Sequence, residues 1–574
     1  MIKENLIELF SDSFRNNWNL PGYSDYGDDK TLTYADIAKE VAKLHILFEQ
    51  CGVQRNDKIA LIGRNSSNWA IAYVATVTYG AIIVPILHDF NPNDVHHIAN
   101  HSESKLLFVG ENIWETLDEE KLTHIKAVFS LQNFNCISIS NQKNLTDEQP
   151  DGESAINPVN NILDWQQLQP DYIGRLFHDK YPSGFSCADV QYPEKSNCEL
   201  ASINYTSGTT GFSKGVMTTC NNLAGNITFG FYTKLVAPKY RIVSFLPLAH
   251  AYGCAFDFLA ATCAGCHIHF IGKTPSPKIL LKAFAEIKPT VIFTVPLIIE
   301  KIYKKQILPL IAKPTVRWIL NIPLLDQAIL SQIRKKLVDA FGGKFIEIVI
   351  GGAPLNAEVE EFFHKMKFPF TVGYGMTECA PLISYANKKD FILKSCGKIL
   401  DTMEVKIKNP DPETGTGEIY VRGENVMEGY YKNPEATENS FEDGWLLTGD
   451  LGTTDEEGNI FIRGRAKTMI LSANGQNIYP EEIEAKLNNM PYVMESLVVE
   501  NDGKLIALVY PDYEAIDLQQ LSQEQIEEKM EENRQALNSI SSNYEKVTKI
   551  KLYPDEFEKT PKKSIKRYLY SDNS

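Results

Sequence analysis

"YTSGTTGFSKG", residues 205–215, is the stretch on which the reading of this chain turns. It places three glycines, the hydroxyls of Tyr205, Thr206, Ser207, Thr209, Thr210 and Ser213, and the single cation Lys214 in one short segment. Glycine lets successive backbone N–H groups curl around an anion. The hydroxyls add donors and Lys214 adds charge, so the segment suits phosphate. It is not the G-x-x-x-x-G-K-[ST] loop, because Ser213 precedes the lysine where glycine is required. Taken alone, it reads equally as a flexible Gly/Ser/Thr turn, so the rest of the chain has to decide.

The chain has 574 residues, too many for one ordinary core, and its 43% hydrophobic and 23% charged content is that of globular domains. A net charge of -16 argues against broad nucleic-acid binding, which needs a basic face. Any anion must therefore be held by a local site. The opening "MIKENLIELFSDSFRNNW" lacks the basic and apolar regions of a signal peptide. "AIAYVATVTYGAIIVPIL", residues 70–87, carries no charge, but it changes character at Gly80 and reads as a buried helix followed by a buried strand. A cytoplasmic protein without a transmembrane segment is expected, with peripheral membrane contact left open. The ten cysteines are scattered, as expected of reduced thiols. "CAGCHIHF" (Cys263, Cys266, His267, His269) resembles a haem-attachment or metal string, but its alternation reads better as a strand after a glycine turn.

Along the first half, "TYADIAKEVAKLHILFEQCG" has helical spacing, "KIALIGRN" is a strand, and "NPNDVHHIANHSESKLLFVG" is a helix then a strand. Such alternation predicts an α/β domain with a mostly parallel, doubly wound sheet. Residues 140–200 show little periodicity and read as an irregular surface insertion. From about residue 400, "MEVKIKNP", "GEIYVRG" and "GNIFIRGR" predict a small β-rich subdomain. Beyond Arg465, "YPEEIEAKLNNMP", "ESLVVEN", "KLIALVYP" and "LSQEQIEEKMEENRQALNSI" predict a small α+β domain of about one hundred residues. The expected division is a large domain over 1–464, a hinge at 465–468 and a mobile C-terminal domain over 469–574.

Further segments follow in order: "LPLAHAYG" (246–253), "GGAPL" (351–355), "GYGMTE" (373–378), "GEIYVRG" (417–423), "TGD" (448–450), "GRAK" (464–467) and "NGQNIYPEEIE" (474–484). Together with 205–215 they resemble the adenylate-forming superfamily of acyl-CoA synthetases, adenylation domains and firefly-type luciferases. In look the chain is similar to bacterial long-chain fatty acid–CoA ligases. The resemblance covers nearly the whole chain; Ser213 stands where the family's loop carries proline.

The resemblance implies that ATP activates a carboxylate by attack on the α-phosphorus, with loss of pyrophosphate. Thr206, Ser207, Gly208, Thr209, Thr210, Gly211 and Lys214 would cradle the phosphates. Glu378, assisted by Thr209, would be the Mg2+-linked carboxylate. Gly351, Gly352, Ala353, Pro354, Gly373, Tyr374, Gly375, Met376 and Thr377 would form the adenine side of the site. Asp450 and Arg465 would meet the ribose, and His250 would stand near the carboxylate entry. Lys467 falls at the implied hinge. Gly475 matches the glycine lining the thiol tunnel, where a Cβ would narrow the passage.

"AHAYG" offers no acidic partner for an α-ammonium, which disfavours amino acids, and "CAFDFLAAT" offers an apolar wall. A fatty acid with coenzyme A as acceptor is expected. The alternatives are an aryl acid or other carboxylate, acyl transfer to a separate carrier protein, or a nucleotide-binding relative without ligase chemistry. No attached carrier domain is expected, which favours the free thiol. Relatives end on a P-K-T-x-x-G-K-I-x-R motif whose second lysine reaches the α-phosphate. Aligned on "KT" and "I-x-R", that position falls on Ser564, which brings no cation. A one-residue shift makes Lys563 the catalytic candidate, with Lys562 and Lys566 as alternatives.

Overall fold

The computed structural model describes residues 2–140, 163–206, 213–311, 313–320, 322, 325–471, 477–501, 503–560 and 565–570. The apolar runs of the first half assemble into an eight-stranded sheet. Ile82–Ile86, Lys58–Ile62, Ser104–Val109 and Ala127–Ser130 lie side by side and parallel. Leu200–Thr206 joins parallel to Ile82–Ile86, and Lys214–Thr219 and then Gly429–Tyr430 extend that edge antiparallel. Cys136–Ile139 closes the other edge antiparallel. Successive side chains point to opposite faces, and both faces are covered. Ile59, Leu61, Ile83, Phe108 and Phe129 enter one core cluster, while Ala60, Ile62, Val84, Leu107 and Val109 enter the other.

The uncharged run over 70–87 is a buried helix, Ser67–Tyr79, followed by the buried strand Ile82–Ile86. Ser66 caps the helix start, and Gly80, at φ 94°, stops it in the left-handed conformation. The threonines are tolerated there because Thr76 and Thr78 return their hydroxyls to the carbonyls of Ala72 and Val74 at 2.8 and 2.7 Å. Among the described residues, no helix is long and apolar enough to cross a membrane.

Two smaller sheets complete the α/β part. One orders Arg241–Ser244, His267–Phe270, Pro21–Asp25 and Thr31–Thr33; the other is parallel, with Val291–Thr294, Glu347–Ile350 and Phe370–Val372. "CAGCHIHF" is thus the expected turn and strand, with Gly265 at φ 80°, and no metal-holding cluster of His, Cys, Asp and Glu occurs among the described residues. The antiparallel sheet of Met403–Lys408, Gly417–Gly423, Trp445–Thr454, Phe441–Glu442 and Ile460–Arg465 is the β-rich part.

The C-terminal α+β domain carries its own core, with Ile483, Leu487, Val498, Val509, Met530 and Leu537 between its sheet and its helices Pro480–Leu487 and Gln523–Ser539. It docks on the large domain by polar contacts. Lys304 Nζ donates to the Asn488 carbonyl at 2.9 Å. Asn356 and Asn489 exchange amide hydrogen bonds at 2.5 and 3.1 Å. Arg463 faces Glu482 at 3.7 Å.

One expectation is corrected. Residues 140–200 are not irregular throughout, because Pro170–Lys180 is a helix. Proline at its first turn starts it, and Ile173, Leu176 and Phe177 at helical spacing seat it on the large core. The polar composition around it hid that spacing.

Burial lowers the Lys304 pKa, and its hydrogen bond to the Asn488 carbonyl is part-buried. Lys304→Ala leaves the Asn488 carbonyl short of a partner, at a cost of about 1–3 kcal/mol. Tryptic cleavage at Arg465 and Lys467 is expected to accelerate several-fold, with the large domain intact on a gel. An unchanged rate would show that this contact does not hold the domains together.

Candidate active site

The phosphate-type loop is framed by two antiparallel strands, Leu200–Thr206 and Lys214–Thr219, with Thr206 opposite Lys214 at the mouth. Ser207, Gly208, Thr209, Thr210 and Gly211 lie outside the described residues. Lys214 does not reach into open solvent; its Nζ stands 5.0 Å from the centre of the Tyr430 ring. The Tyr430 hydroxyl donates to Glu378 Oε1 at 3.0 Å. Glu378 is anchored from behind as well, its carbonyl accepting from the Met427 amide at 2.8 Å. The structure therefore brings the loop lysine and the acid of "GYGMTE" to either side of one tyrosine. Burial and the Glu378 charge hold the Tyr430 hydroxyl above its ordinary pKa, so it is the donor.

A second cluster forms around Asp450. The Tyr374 hydroxyl donates to Asp450 Oδ2 at 2.6 Å, and Arg465 Nε meets Oδ1 at 2.8 Å. Gly449, at φ 70°, precedes Asp450 within the strand Trp445–Thr454, and the Asp450 amide donates to Thr448 Oγ1 at 3.0 Å. Burial raises the Asp450 pKa, opposed by Arg465 and Tyr374. Each carboxylate oxygen keeps a further lone pair, so the group retains capacity for ligand hydroxyls.

The two glycine loops sit at the carboxyl ends of parallel strands, where open α/β sheets bind ligands. Gly351 follows Glu347–Ile350, and Gly373 follows Phe370–Val372. A Cβ on Gly351 would lie 3.4 Å from the Gly373 carbonyl and 3.5 Å from the Tyr252 ring. Gly352 has φ 87°, while Ala353 and Pro354 are exposed beside it. A Cβ on Gly375 would lie 2.3 Å from the Pro381 carbonyl, so only glycine fits that hairpin. The Met376 amide donates to that same carbonyl at 2.9 Å, and Thr377 is buried at the head of a short turn. The Gly373 loop is joined to Asp450 through Tyr374, so small-residue backbone and a hydroxyl-accepting carboxylate stand together, the donor and acceptor types a nucleoside needs. Glu378 would offer Mg2+ a hard carboxylate oxygen, with phosphates and water supplying the other ligands.

His250 lies on the turn leaving Arg241–Ser244, its amide donating to the Pro247 carbonyl at 3.0 Å. Sequence reasoning missed what fixes that turn. Asn65 Nδ2 donates to the Leu246 carbonyl at 2.7 Å, and Asn65 Oδ1 accepts from the Leu248 amide at 3.1 Å. Tyr252 ties the same segment to the Gly351 strand through the Val349 carbonyl at 3.0 Å. Asp257 was read only as part of an apolar wall. It is fully buried in the π-helical stretch Gly253–Ala260. Its carboxyl makes no close hydrogen bond, and only the amides of Leu246 and Phe245 and the Ser244 hydroxyl soften its desolvation.

Of the tail residues, Lys562 and Lys563 lie outside the described residues, as does Gly475. Lys566 is described and faces Glu558 at 3.4 Å.

With this geometry in place, the comparisons with known proteins assign the family. Residues 13–431 match the AMP-binding enzyme family and residues 467–572 match the AMP-binding enzyme C-terminal domain. The chain belongs to the AMP-binding enzyme family, within the adenylate-forming superfamily of acyl-CoA synthetases. It is 27% identical over 510 residues to the long-chain-fatty-acid–CoA ligase FadD15 of Mycobacterium bovis, covering 85% of this chain and 78% of that one. It is 25% identical over 533 residues to long-chain-fatty-acid–CoA ligase 1 of Saccharomyces cerevisiae, covering 87% and 74%. Among solved structures, ATP-bound MatB from Rhodopseudomonas palustris superposes with a TM-score of 0.73 at 22% identity, over 99% of both chains. O-succinylbenzoate coenzyme A synthetase (MenE) from Bacillus subtilis, in complex with AMP, superposes at 0.71 and 20% identity, over 98% of this chain and 97% of that one. At those identities the structural matches speak for the fold.

Burial holds the Asp257 carboxyl well above the ordinary carboxylate range. Folding therefore takes up a proton, and stability from this group is fullest in acid and falls as pH rises above the unfolded value. The slope is at most about 1.4 kcal/mol per pH unit. Asp257→Asn removes the titration, so its melting temperature is expected to gain on the parent between about pH 5 and about pH 8. A difference that does not change with pH would mean that Asp257 takes up no proton on folding.

Proposed function

We propose that the chain activates a fatty acid with ATP and passes the acyl group to coenzyme A. A carboxylate oxygen attacks the α-phosphorus, the bond to pyrophosphate breaks, and an acyl-adenylate forms. The thiolate sulfur then attacks the acyl carbon, and AMP leaves. The observation that carries the reading is the pair of clusters, Lys214–Tyr430–Glu378 and Tyr374–Asp450–Arg465, standing with the Gly351 and Gly373 loops. Lys214 and the loop donors would meet the pyrophosphate charge, Glu378 and Thr209 would hold Mg2+, which would supply charge neutralisation at the phosphates, and Asp450 with Arg465 would take the ribose. The fatty acid is supported by the named activities of the ligases from M. bovis and S. cerevisiae and by the apolar flank of Gly253–Ala260.

Pyrophosphate release is expected with saturated acids of graded length and not with benzoate, malonate or o-succinylbenzoate. Coenzyme A should convert the adenylate to an acyl-CoA detectable by mass spectrometry. Release with an aryl or dicarboxylic acid alone would replace the fatty acid. Release indifferent to coenzyme A would point to a carrier-protein acceptor. No release with any acid would leave a nucleotide-binding protein.

We assign the tail cation to Lys563. The division at 465–468 supplies the joint about which the C-terminal domain would bring it to the α-phosphate. Lys559 and Ile565 are bridged in antiparallel fashion, and Lys566 beyond the bridge is held at Glu558, which favours the lysines between. Lys563→Ala is expected to lose adenylation by about 10²–10³-fold while still converting supplied acyl-adenylate to the thioester. The same loss in Lys562→Ala or Lys566→Ala instead would move the assignment, and normal adenylation in all three would end it.

A further inference from the structure

Tyr430 belongs to none of the motifs that define the site, yet it touches both charged groups at the loop mouth. Its ring carries Lys214 at 5.0 Å and its hydroxyl donates to Glu378 at 3.0 Å. We propose that Tyr430 is a positioning residue that keeps the phosphate-loop lysine and the metal-linked carboxylate apart and aimed. The inference rests on the roles given to Lys214 and Glu378 in the function proposed above.

The backbone fixes this tyrosine closely. Gly429–Tyr430 is the last strand of the large sheet, with Tyr430 opposite Val216 and Gly429 opposite Met217. The Tyr430 amide donates to Thr437 Oγ1 at 2.9 Å, and the next amide, Tyr431, donates to the Gly215 carbonyl at 2.8 Å. Gly429 has φ 150°, and a Cβ there would lie 2.7 Å from Thr437 Cγ2, so the strand enters only as glycine. Lys214 and Tyr430 thus ride on neighbouring strands of one sheet, and their spacing is set by strand pairing.

The chemistry explains why a tyrosine suits the place. A lysine left beside a carboxylate forms an ion pair, which would spend the cation meant for phosphate and the anion meant for Mg2+ on each other. A neutral phenol orients Glu378 through one hydrogen bond and leaves its charge intact. The ring face attracts the ammonium without neutralising it. Partners that orient a metal-linked group in this way govern metal affinity by about 10- to 100-fold.

The test compares Tyr430→Phe and Tyr430→Leu by calorimetric titration with ATP at graded Mg2+, with no acid or coenzyme A present. Tyr430→Phe keeps the ring and loses the hydroxyl. It is expected to bind ATP like the parent without Mg2+, and to need about 10-fold more Mg2+ to reach the parent's metal-dependent affinity. Tyr430→Leu frees Lys214 to collapse onto Glu378, so its ATP affinity is expected to fall without Mg2+ as well. A Tyr430→Phe protein with the parent's Mg2+ dependence overturns the proposal, as does an equal loss with and without the metal. Melting temperatures within a few degrees of the parent exclude simple unfolding; for any variant that melts lower, the titrations are repeated at a temperature where it is folded. Glu378→Gln separates the two readings. If it abolishes the Mg2+ dependence while Tyr430→Phe leaves it unchanged, only the tyrosine's role is lost. If Glu378→Gln keeps that dependence, the metal-linked role of Glu378 fails and the positioning role with it.

Discussion

The site is organised around one buried carboxylate. Asp450 is almost wholly shielded, and an isolated charge there would be costly. Tyr374 and Arg465 make it tolerable, and they come from different parts of the chain. Tyr374 begins the hairpin after the Gly373 loop, Asp450 lies in the middle of the strand Trp445–Thr454, and Arg465 ends the strand Ile460–Arg465. One ion pair and one hydrogen bond therefore lock the glycine loops of the α/β part to the β-rich part. Arg465 is also the last strand residue before the connection to the C-terminal domain. A ligand hydroxyl that takes up part of Asp450's capacity acts on the residue from which that connection departs.

The same economy of charge runs through the rest of the site. A protein with a net charge of -16 repels polyanions over much of its surface, so cations offered to an anionic ligand have to be placed rather than abundant. Lys214 is held on an aromatic face, and Arg465 is held on a carboxylate. Asp257, behind the His250 turn, takes the opposite course. Burial disfavours its charged form, and a buried acid is kept close to neutral.

What the sequence made legible follows from the range of the forces involved. Local signals were readable: the helix ended by Gly80, the strand after Gly265, and the glycine loops around Gly351 and Gly373. So were the order of the motifs and the small domain beyond Arg465. The contacts that give those motifs their geometry were not readable, because they join distant positions. Tyr430 meets Glu378 52 residues away, and Asn65 grips the His250 turn from 181 residues away. Asp257 was hidden for a different reason. One acid in "CAFDFLAAT" barely disturbs an apolar reading, and periodicity does not show that a π-helical turn buries it. Pro170–Lys180 was missed because its few apolar residues are diluted by polar neighbours, although their spacing is helical.

The C-terminal tail shows how a fold can restrict a choice that alignment leaves open. Lys559 is gripped by Glu495 at 2.7 Å and by Glu556 at 2.5 Å, and Arg567 is paired with Glu484 and Glu481. Lys559 and Ile565 are also joined by an antiparallel bridge. Basic residues at both ends of the tail are therefore committed to carboxylates of their own domain. To meet a phosphate, each of these would first have to leave a carboxylate of its own domain. The described cations of the tail are thus engaged within their own domain, and Lys562 and Lys563 lie outside the described residues. The basic run "KTPKKSIKR" therefore begins and ends on residues anchored to the domain that carries it.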